Sequence, residues 1–106
     1  MAKPGFAVLY RWRLKPGREA RFVDAWSRVT QHYVRHRGGQ GSRLHRGLDG
    51  VWYAYAQWPD AATRERAFAH DDQPEAHALM DDSIAERLSA IILEPVADFL
   101  VLSERG

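Results

Sequence analysis

The amino-acid sequence predicts an α+β fold with the element order β-α-β-β-α-β and one four-stranded antiparallel sheet. Three observations lead to this prediction. Large apolar residues occupy every second position over 6–14, and aromatics alternate with alanines before Trp58, as suits strands; a long stripe with helical spacing lies between the two runs. Asp49-Gly50, just before the second run, is a strong hairpin signal. With 106 residues, the chain is expected to form one domain over 1–106, with its core over about 6–102.

The first strand covers Phe6–Leu14 and ends at the turn Lys15-Pro16-Gly17. Its even-numbered residues form an apolar face, whereas the opposite face becomes basic toward the end of the strand. A helix is predicted over Arg18–Arg37, because one stripe of large apolar residues repeats there at spacings of four, three and four: Phe22, Trp26, Val29 and Tyr33. Gly38-Gly39 ends this helix.

The second and third strands are joined by the predicted hairpin. The second strand, Gln40–Leu48, mixes leucines with Arg and His, which is typical of an edge strand. The third strand covers Gly50–Trp58 and stops before Pro59, since proline cannot donate to the ladder. Asp60 is then the predicted N-cap of a helix over Ala61–Ala69.

Two capping-box patterns precede apolar runs nearer the C-terminus, Asp72 with Glu75 and Ser83 with Glu86. Pro95 then breaks the apolar pattern. These signals predict two further helices and a final strand: Glu75–Met80, Ile84–Ile92 and Val96–Leu102.

The most apolar strands, the first and the third, are expected at the centre of the sheet, with the second at an edge. This is the split β-α-β arrangement of a ferredoxin-like fold. Helices cover one face of the sheet, and the other face carries large apolar and amphipathic side chains that no predicted element covers. An exposed patch of that size favours a closed two-fold homodimer, packed sheet to sheet.

Four features together resemble the antibiotic biosynthesis monooxygenase (ABM) domain: a strand ending in Lys15-Pro16-Gly17, a long helix closing on Gly38-Gly39, the Asp49-Gly50 hairpin and a strand ending in Trp58. The resemblance runs from about Phe6 to Leu102 and implies a dimeric α/β barrel. Some members of this family oxidise polyketide phenols or anthrones to quinones without metal or flavin, some degrade haem, and many have no established activity. The resemblance therefore implies a small monooxygenase that oxidises an aromatic or polycyclic phenol-like substrate, without a cofactor, in a cavity between sheet and helices.

The resemblance also bears on which branch of the family this sequence is similar to. Trp58 matches the family's tryptophan at the end of the third strand, which lines the cavity. Haem-degrading members additionally need an Asn late in the first strand and a His after the third strand. His77 could fill the second role, but Tyr10 lies near the Asn position and the first strand contains no Asn. Haem degradation is therefore disfavoured.

Oxygenation without a cofactor requires the substrate itself to become an electron-rich anion. The protein must then supply a base, hydrogen-bond donors for the oxyanion and a dry aromatic pocket. Because imidazole titrates near neutral pH, His77 is the expected base, with His70 as the alternative. Tyr10 is the expected donor, with Tyr53 and Tyr55 as alternatives, and Trp58 forms part of the cavity wall. His77, Tyr10 and Trp58 make up the predicted catalytic set. The residues expected to bind substrate are Arg11, Trp12, Tyr53, Tyr55, Phe68 and His70.

A purely structural interpretation accounts for several of these residues, since cross-strand packing explains the tyrosines and a helix surface explains the histidines. A non-catalytic ligand-binding or stress-associated dimer of the same fold therefore remains the alternative function, because fold does not determine function.

Composition excludes several other classes. The chain has no Cys and hence no disulfide framework, thiolate metal site or Cys nucleophile. A net charge of +1 provides no basic field for nucleic acid. No apolar run approaches the roughly 20 residues that span a bilayer, so a cytoplasmic location is expected. His32 and His36 have a spacing that metal ligands use, but a solvated helix end explains them better, and no metal is predicted.

Overall fold

The computed structural model describes residues 5–101 and contains four strands and three helices in that part of the chain. The elements are β1 (Phe6–Leu14), α1 (Glu19–His36), β2 (Ser42–Arg46), β3 (Trp52–Trp58), α2 (Ala61–Phe68), α3 (Pro74–Ser83) and β4 (Ile84–Leu93). The strands form one antiparallel sheet in the order β2-β3-β1-β4, which confirms the predicted α+β ferredoxin-like fold with β1 and β3 at its centre. Within these residues, no helix is long and apolar enough to cross a membrane.

The two central strands decide which side chains face the helices. In the β1–β3 register, Tyr10 lies opposite Ala54 and Trp12 opposite Trp52. Burial alternates along β3, where the even-numbered residues from Trp52 to Trp58 are buried and those between them are partly exposed. Since side chains of a strand point alternately to the two faces, the helices cover the face that carries Tyr10, Trp12 and Trp58. We call the opposite side, with Leu9, Tyr53 and Tyr55, the open face.

The core lies between this covered face and α1. Phe22 of α1 is fully buried, and its ring packs edge-on against Trp12 at 5.1 Å and Trp52 at 6.3 Å between centroids. Edge-to-face contacts of this kind add to the free energy gained from burying the rings. A second cluster joins Val8, Trp58 and Ala67 at the other end of the sheet, where α2 begins to cover it.

The cap predicted for α2 is confirmed. Asp60 precedes the helix in an extended conformation, and its Oδ1 accepts a hydrogen bond of 2.7 Å from the backbone N–H of Thr63. This bond satisfies one of the N–H groups that a helix start leaves without a partner. Because the bond favours the ionised carboxylate, it also holds the pKa of Asp60 below its usual value. The α2 helix therefore begins directly after β3, and its first turn stays close to Trp58.

The predicted helix over Ile84–Ile92 is wrong, because these residues form β4 and pair with β1. Part of the apolar spacing that suggests a helix, the interval from Leu88 to Ile91, comes from a β-bulge. Leu9 lies opposite Ile91, but Arg11 lies opposite Leu88, so that two residues of β1 span three of β4. The bulge brings apolar residues three positions apart to the same face, as a helix would. Backbone pairing with the free edge of β1 and the β-branched isoleucines favour the strand.

Two neighbouring predictions are also corrected. Ser83 does not cap a new helix but ends α3, where its hydroxyl donates to the Leu79 carbonyl oxygen. The predicted strand Val96–Leu102 is absent from the described residues, since 94–101 has no regular structure and Leu102 lies outside the described part. β4 has already taken the sheet edge that this strand would have used.

The predicted capping box at α3 is likewise wrong. The helix begins one residue earlier, at Pro74, and its N-cap is Gln73, which makes no side-chain capping bond. Proline in the first turn is confirmed, and its fixed φ angle suits a helix start. The carboxylate of Asp72 is used elsewhere, in an ion-pair cluster described below.

Candidate active site

A cavity of about 340 Å³ lies between the covered face of the sheet and the three helices. Aromatic rings form part of its walls, beside aliphatic and polar side chains that include Asp81 and Arg87. The sheet supplies Tyr10, Trp12 and Trp58, α1 supplies Tyr33, and α2 supplies Phe68. Rings of this size exclude water and favour a flat apolar ligand.

Trp58 lies at the end of β3, where Pro59 stops the strand and the chain turns into α2. The side chain is only 3% exposed, and its ring packs against Tyr33 and Phe68, each at 5.8 Å between centroids. Its indole Nε1 is buried and meets no acceptor with ideal hydrogen-bond geometry, but it lies close enough to the Tyr10 hydroxyl to lower the pKa of Tyr10. Trp58 therefore contributes its ring to the cavity wall and its N–H to the surroundings of Tyr10.

Tyr10 projects from the centre of the sheet toward α2. Its hydroxyl accepts a hydrogen bond of 2.9 Å from Arg64 Nε. The Arg64 guanidinium also lies over the Phe68 ring, 4.8 Å from its centroid. Burial raises the pKa of Tyr10, and the Arg64 hydrogen bond opposes this shift. Because the pKa stays above its usual value, Tyr10 is protonated at neutral pH and its O–H remains a donor.

His77 lies in the first turn of α3 and borders the same cavity. Its side chain is 35% exposed, and its Nδ1 lies 4.0 Å from Asp71 Oδ1 in the loop between α2 and α3. The Tyr33 ring meets the imidazole edge-on, with 6.4 Å between centroids. Burial raises the pKa of Tyr33 to about 12, so this neighbour remains a neutral phenol. The imidazole thus has a carboxylate near one nitrogen and an uncharged aromatic neighbour.

The loop that carries Asp71 is tied to the end of α1 by an ion-pair cluster, His32–Arg37–Asp72. Asp72 Oδ2 lies 2.9 Å from His32 Nε2 and 2.7 Å from the Arg37 guanidinium. The hydrogen bonds from Arg37 and then His32 hold the pKa of Asp72 well below its usual range. His32 is thus engaged with the Asp72 carboxylate. Within residues 5–101, no group of three His, Cys, Asp or Glu residues could hold a metal ion.

The Asp72 cluster gives a pH-dependent stability. A carboxylate with a folded-state pKa below its unfolded value stabilises the fold at pH above about 3.9, and this contribution is lost as the pH falls below that value. We expect the difference in melting temperature between wild type and Asp72→Asn to shrink as the pH is lowered through this window. Thermal unfolding followed by circular dichroism between pH 7 and pH 3 measures it. A difference that stays constant over the whole range would show that Asp72 does not stabilise the fold through its charge.

The other predicted site residues divide between the two faces of the sheet. Trp12 and Phe68 border the cavity, as does each predicted catalytic residue. Arg11, Tyr53 and Tyr55 lie on the open face instead, where Arg11 donates to the Ser89 carbonyl oxygen and the Tyr53 hydroxyl donates to Asp49.

His70 is exposed in the α2–α3 loop and does not border the cavity. The sequence reasoning missed Arg64 and Tyr33. Tyr33 belongs to the apolar stripe of α1, and the position of that stripe over β3 could have identified it. Nothing in the sequence distinguishes Arg64 from the other arginines.

Comparisons with known proteins agree with this architecture. The sequence profile of the family named antibiotic biosynthesis monooxygenase matches residues 5–81. A Bordetella bronchiseptica protein with that name as a provisional assignment has a TM-score of 0.76 and 21% identity, over 90% of this chain and 100% of its own. A Caulobacter crescentus protein with the same provisional name has a TM-score of 0.76 and 17% identity, over 89% of this chain and 92% of its own.

SnoaB, a cofactor-independent oxygenase from Streptomyces nogalater, has a TM-score of 0.75 and 15% identity, over 92% of this chain and 98% of its own. At these identities the structural likeness shows the fold alone. No curated protein matches the chain. The sequence profile spans most of the described residues, from the start of β1 into α3. The protein therefore belongs to the antibiotic biosynthesis monooxygenase family.

Proposed function

We propose that the protein is a cofactor-independent monooxygenase that oxidises an aromatic or polycyclic phenol in the cavity between sheet and helices. One observation carries this proposal. A single aromatic-walled cavity brings together a histidine, His77, a hydrogen-bond donor, the Tyr10 hydroxyl, and the ring of Trp58. Family membership and the fold shared with SnoaB support the same class of reaction.

His77 is the proposed base. It removes the phenol proton and leaves a phenolate, whose high electron density allows it to transfer an electron to dioxygen. The Tyr10 hydroxyl donates to the phenolate oxygen and stabilises its negative charge, and the aromatic walls, Trp58 among them, exclude water. One phenol and one dioxygen then give one quinone and one water. One oxygen atom enters the ring, and one ring hydrogen and the phenol proton taken up by His77 leave with the other oxygen atom as water. The substrate supplies all the electrons, so the balance needs no external reductant.

Incubation in air with a panel of hydroxynaphthalenes and anthrones tests the proposal. We expect quinone formation with one dioxygen consumed per substrate, measured by absorbance and an oxygen electrode, and unchanged after treatment with a chelator. An enzyme that binds the panel without turning over any member would contradict it.

A non-catalytic ligand-binding dimer is the second candidate. The observation that favours it is the 4.0 Å between His77 and Asp71, which is too long for a hydrogen bond that would orient a base. The two candidates predict different outcomes in the same panel. The binder takes up aromatic ligands without consuming oxygen, and its bound ligand is recovered unchanged.

Haem degradation is not part of the proposal, because Tyr10 occupies the region of β1 where the haem-degrading members need Asn. We expect no breakdown of haemin when the protein is incubated with it and a reductant. Loss of the haemin absorption band with formation of a biliverdin-like product would show this expectation to be wrong.

We also propose that the protein is a homodimer. Leu9 and Tyr55 of the open face are only partly buried, and no described helix packs on that face. The segment 94–101 adds apolar surface, with Val96 94%, Phe99 92% and Val101 92% exposed. Apolar surface of this extent is typical of an interface. A second copy, related by a two-fold axis, would cover both regions.

Analytical ultracentrifugation at micromolar concentration is expected to give about twice the chain mass of 12.1 kDa. Leu9→Glu should shift the protein toward monomer, because it places a charge within the open face. Leu48→Glu is the control, since Leu48 is fully exposed at the hairpin. A folded wild-type monomer at this concentration would contradict the dimer.

A further inference from the structure

Arg64 lies on α2 and reaches the sheet at the hydroxyl of Tyr10. Its Nε donates a hydrogen bond of 2.9 Å to the Tyr10 hydroxyl oxygen, although the two residues are 54 positions apart in the sequence. Its guanidinium carbon lies 5.5 Å from the centre of the Tyr10 ring and 4.8 Å from the centre of the Phe68 ring. Because Phe68 follows Arg64 by one helical turn, the helix itself places this ring beside the guanidinium.

The start of α2 fixes the position of Arg64. Asp60 caps this helix through the Thr63 N–H, and the Arg64 N–H donates to the Asp60 carbonyl oxygen at 3.4 Å. The Arg64 side chain is partly buried, and a planar guanidinium that stacks on rings while it donates is held in one orientation. Arg66 of the same helix is exposed instead, and it donates to Thr63 Oγ1 at 3.2 Å.

The surroundings of the Tyr10 oxygen decide where its proton points. Burial, the largest effect, raises the pKa of Tyr10, whereas the Arg64 hydrogen bond, the Arg64 charge and the Trp58 N–H lower it. A guanidinium and an indole N–H can donate but cannot accept. Among residues 5–101, the hydrogen bond that Tyr10 makes through its hydroxyl is the one that it accepts from Arg64. Its proton is therefore available to a ligand in the cavity, which Tyr10 borders.

We propose that Arg64 is a positioning residue, which holds the Tyr10 hydroxyl with its proton directed into the cavity and strengthens it as a donor to the ligand oxygen. This inference rests on the proposed function, since it takes the phenolate oxygen as the acceptor. Donation from Arg64 withdraws electron density from the Tyr10 oxygen, and successive hydrogen bonds in such a chain strengthen one another. The chain favours a phenolate over a neutral phenol, because an ionised acceptor makes the stronger hydrogen bond.

Binding of 4-nitrophenol tests this inference without turnover. Its electron-poor ring is a poor reductant of dioxygen, and its colour changes to yellow on ionisation. At one fixed pH, the absorbance of the saturated protein gives the ratio of bound phenolate to bound phenol. We expect Arg64→Met to lower this ratio about tenfold, as a weaker hydrogen bond to an ionised group would. Methionine keeps an unbranched stem that suits a helix but has no donor.

Tyr10→Phe decides whether the effect of Arg64 passes through Tyr10. This variant alone should lower the ratio at least as much as Arg64→Met does. When Tyr10→Phe and Arg64→Met are combined, the ratio should equal that of Tyr10→Phe alone, because Arg64 then has no oxygen to act on. Arg64→Leu takes the place of Arg64→Met if the methionine variant folds poorly.

Arg66→Met is the matched control. It removes a positive charge from the same helix, but the Arg66 guanidinium donates to Thr63 rather than to Tyr10. The ratio of phenolate to phenol should stay within about twofold of wild type.

The outcomes separate this inference from the proposed function. If Arg64→Met lowers the ratio equally in wild type and in Tyr10→Phe, Arg64 acts as a distant charge and the positioning role is wrong. An unchanged ratio in Arg64→Met also overturns this role, while the aromatic cavity stands because the probe binds. If 4-nitrophenol does not bind to wild type at all, the proposed function is contradicted, and the inference fails with it.

Discussion

Replacement of His77 by alanine is expected to lower quinone formation from a phenolic substrate by a factor of about 10² to 10⁴, the range typical of a positioned general base. The fold should be retained. The His77 side chain is 35% exposed and packs edge-on against one ring, that of Tyr33, so its removal leaves no large buried cavity. Steady-state oxygen consumption and thermal unfolding of the same preparations measure the two effects.

His70→Ala is the matched comparison, because His70 is the alternative base in the sequence reasoning. His70 lies exposed in the loop between α2 and α3, outside the cavity. Its removal should leave turnover within about twofold. If His70→Ala abolishes activity while His77→Ala retains it, the assignment of the base is wrong. If both variants retain activity, neither imidazole is the base, and a mechanism in which the cavity only binds a preformed anion gains support.

The sequence predicts the first part of the fold well because its signals are local. The limits of β1 at Phe6 and Leu14 follow from strict alternation and a Pro-Gly turn, and those of α1 from one apolar stripe. The end of β3 and the start of α2 follow from Pro59 and Asp60, two residues whose backbone chemistry allows few alternatives.

The last strand shows where such reasoning fails. In β4 the interval from Leu88 to Ile91 reflects a bulge against β1, and a bulge depends on a partner strand about 80 residues away in the sequence. The Ser83 and Glu86 pattern resembles a helix start, because the same residue types occur at both the start and the end of helices. Ser83 in fact donates to a carbonyl oxygen at the end of α3. Only the pairing of β4 with β1 distinguishes a strand from a helix at these residues.

The predicted site residues likewise divide into those that border the cavity and those that do not. Trp58, Tyr10 and His77 lie at one cavity because the first two share the parity of the covered face and α3 packs beside α1. Arg11 and Tyr53 fall on the open face for the same reason of parity, and the alternation of β1 and β3 could have excluded them.

The second large effect is expected at Trp58, where stability and ligand binding can be separated by two substitutions. Trp58→Ala should lower the free energy of unfolding by about 3–5 kcal/mol, because it removes a large buried side chain and leaves a cavity. The ring is 3% exposed and contacts Tyr33 and Phe68. Denaturant unfolding measures this loss. A cost below about 1 kcal/mol would mean that the surrounding rings collapse into the space, or that Trp58 does not support the core.

Trp58→Phe keeps an aromatic ring but removes part of the indole surface that borders the cavity. We expect its melting temperature to stay within a few degrees of wild type, while naphthol binding weakens by about tenfold because part of the apolar contact with the ligand is lost. Trp52→Phe is the matched control. Trp52 is also buried, but it packs against Phe22 and lies outside the cavity, so the same substitution there should leave binding unchanged. Equal loss of binding in both variants would assign the effect to the fold, and unchanged binding in Trp58→Phe would show that the indole does not contact the ligand.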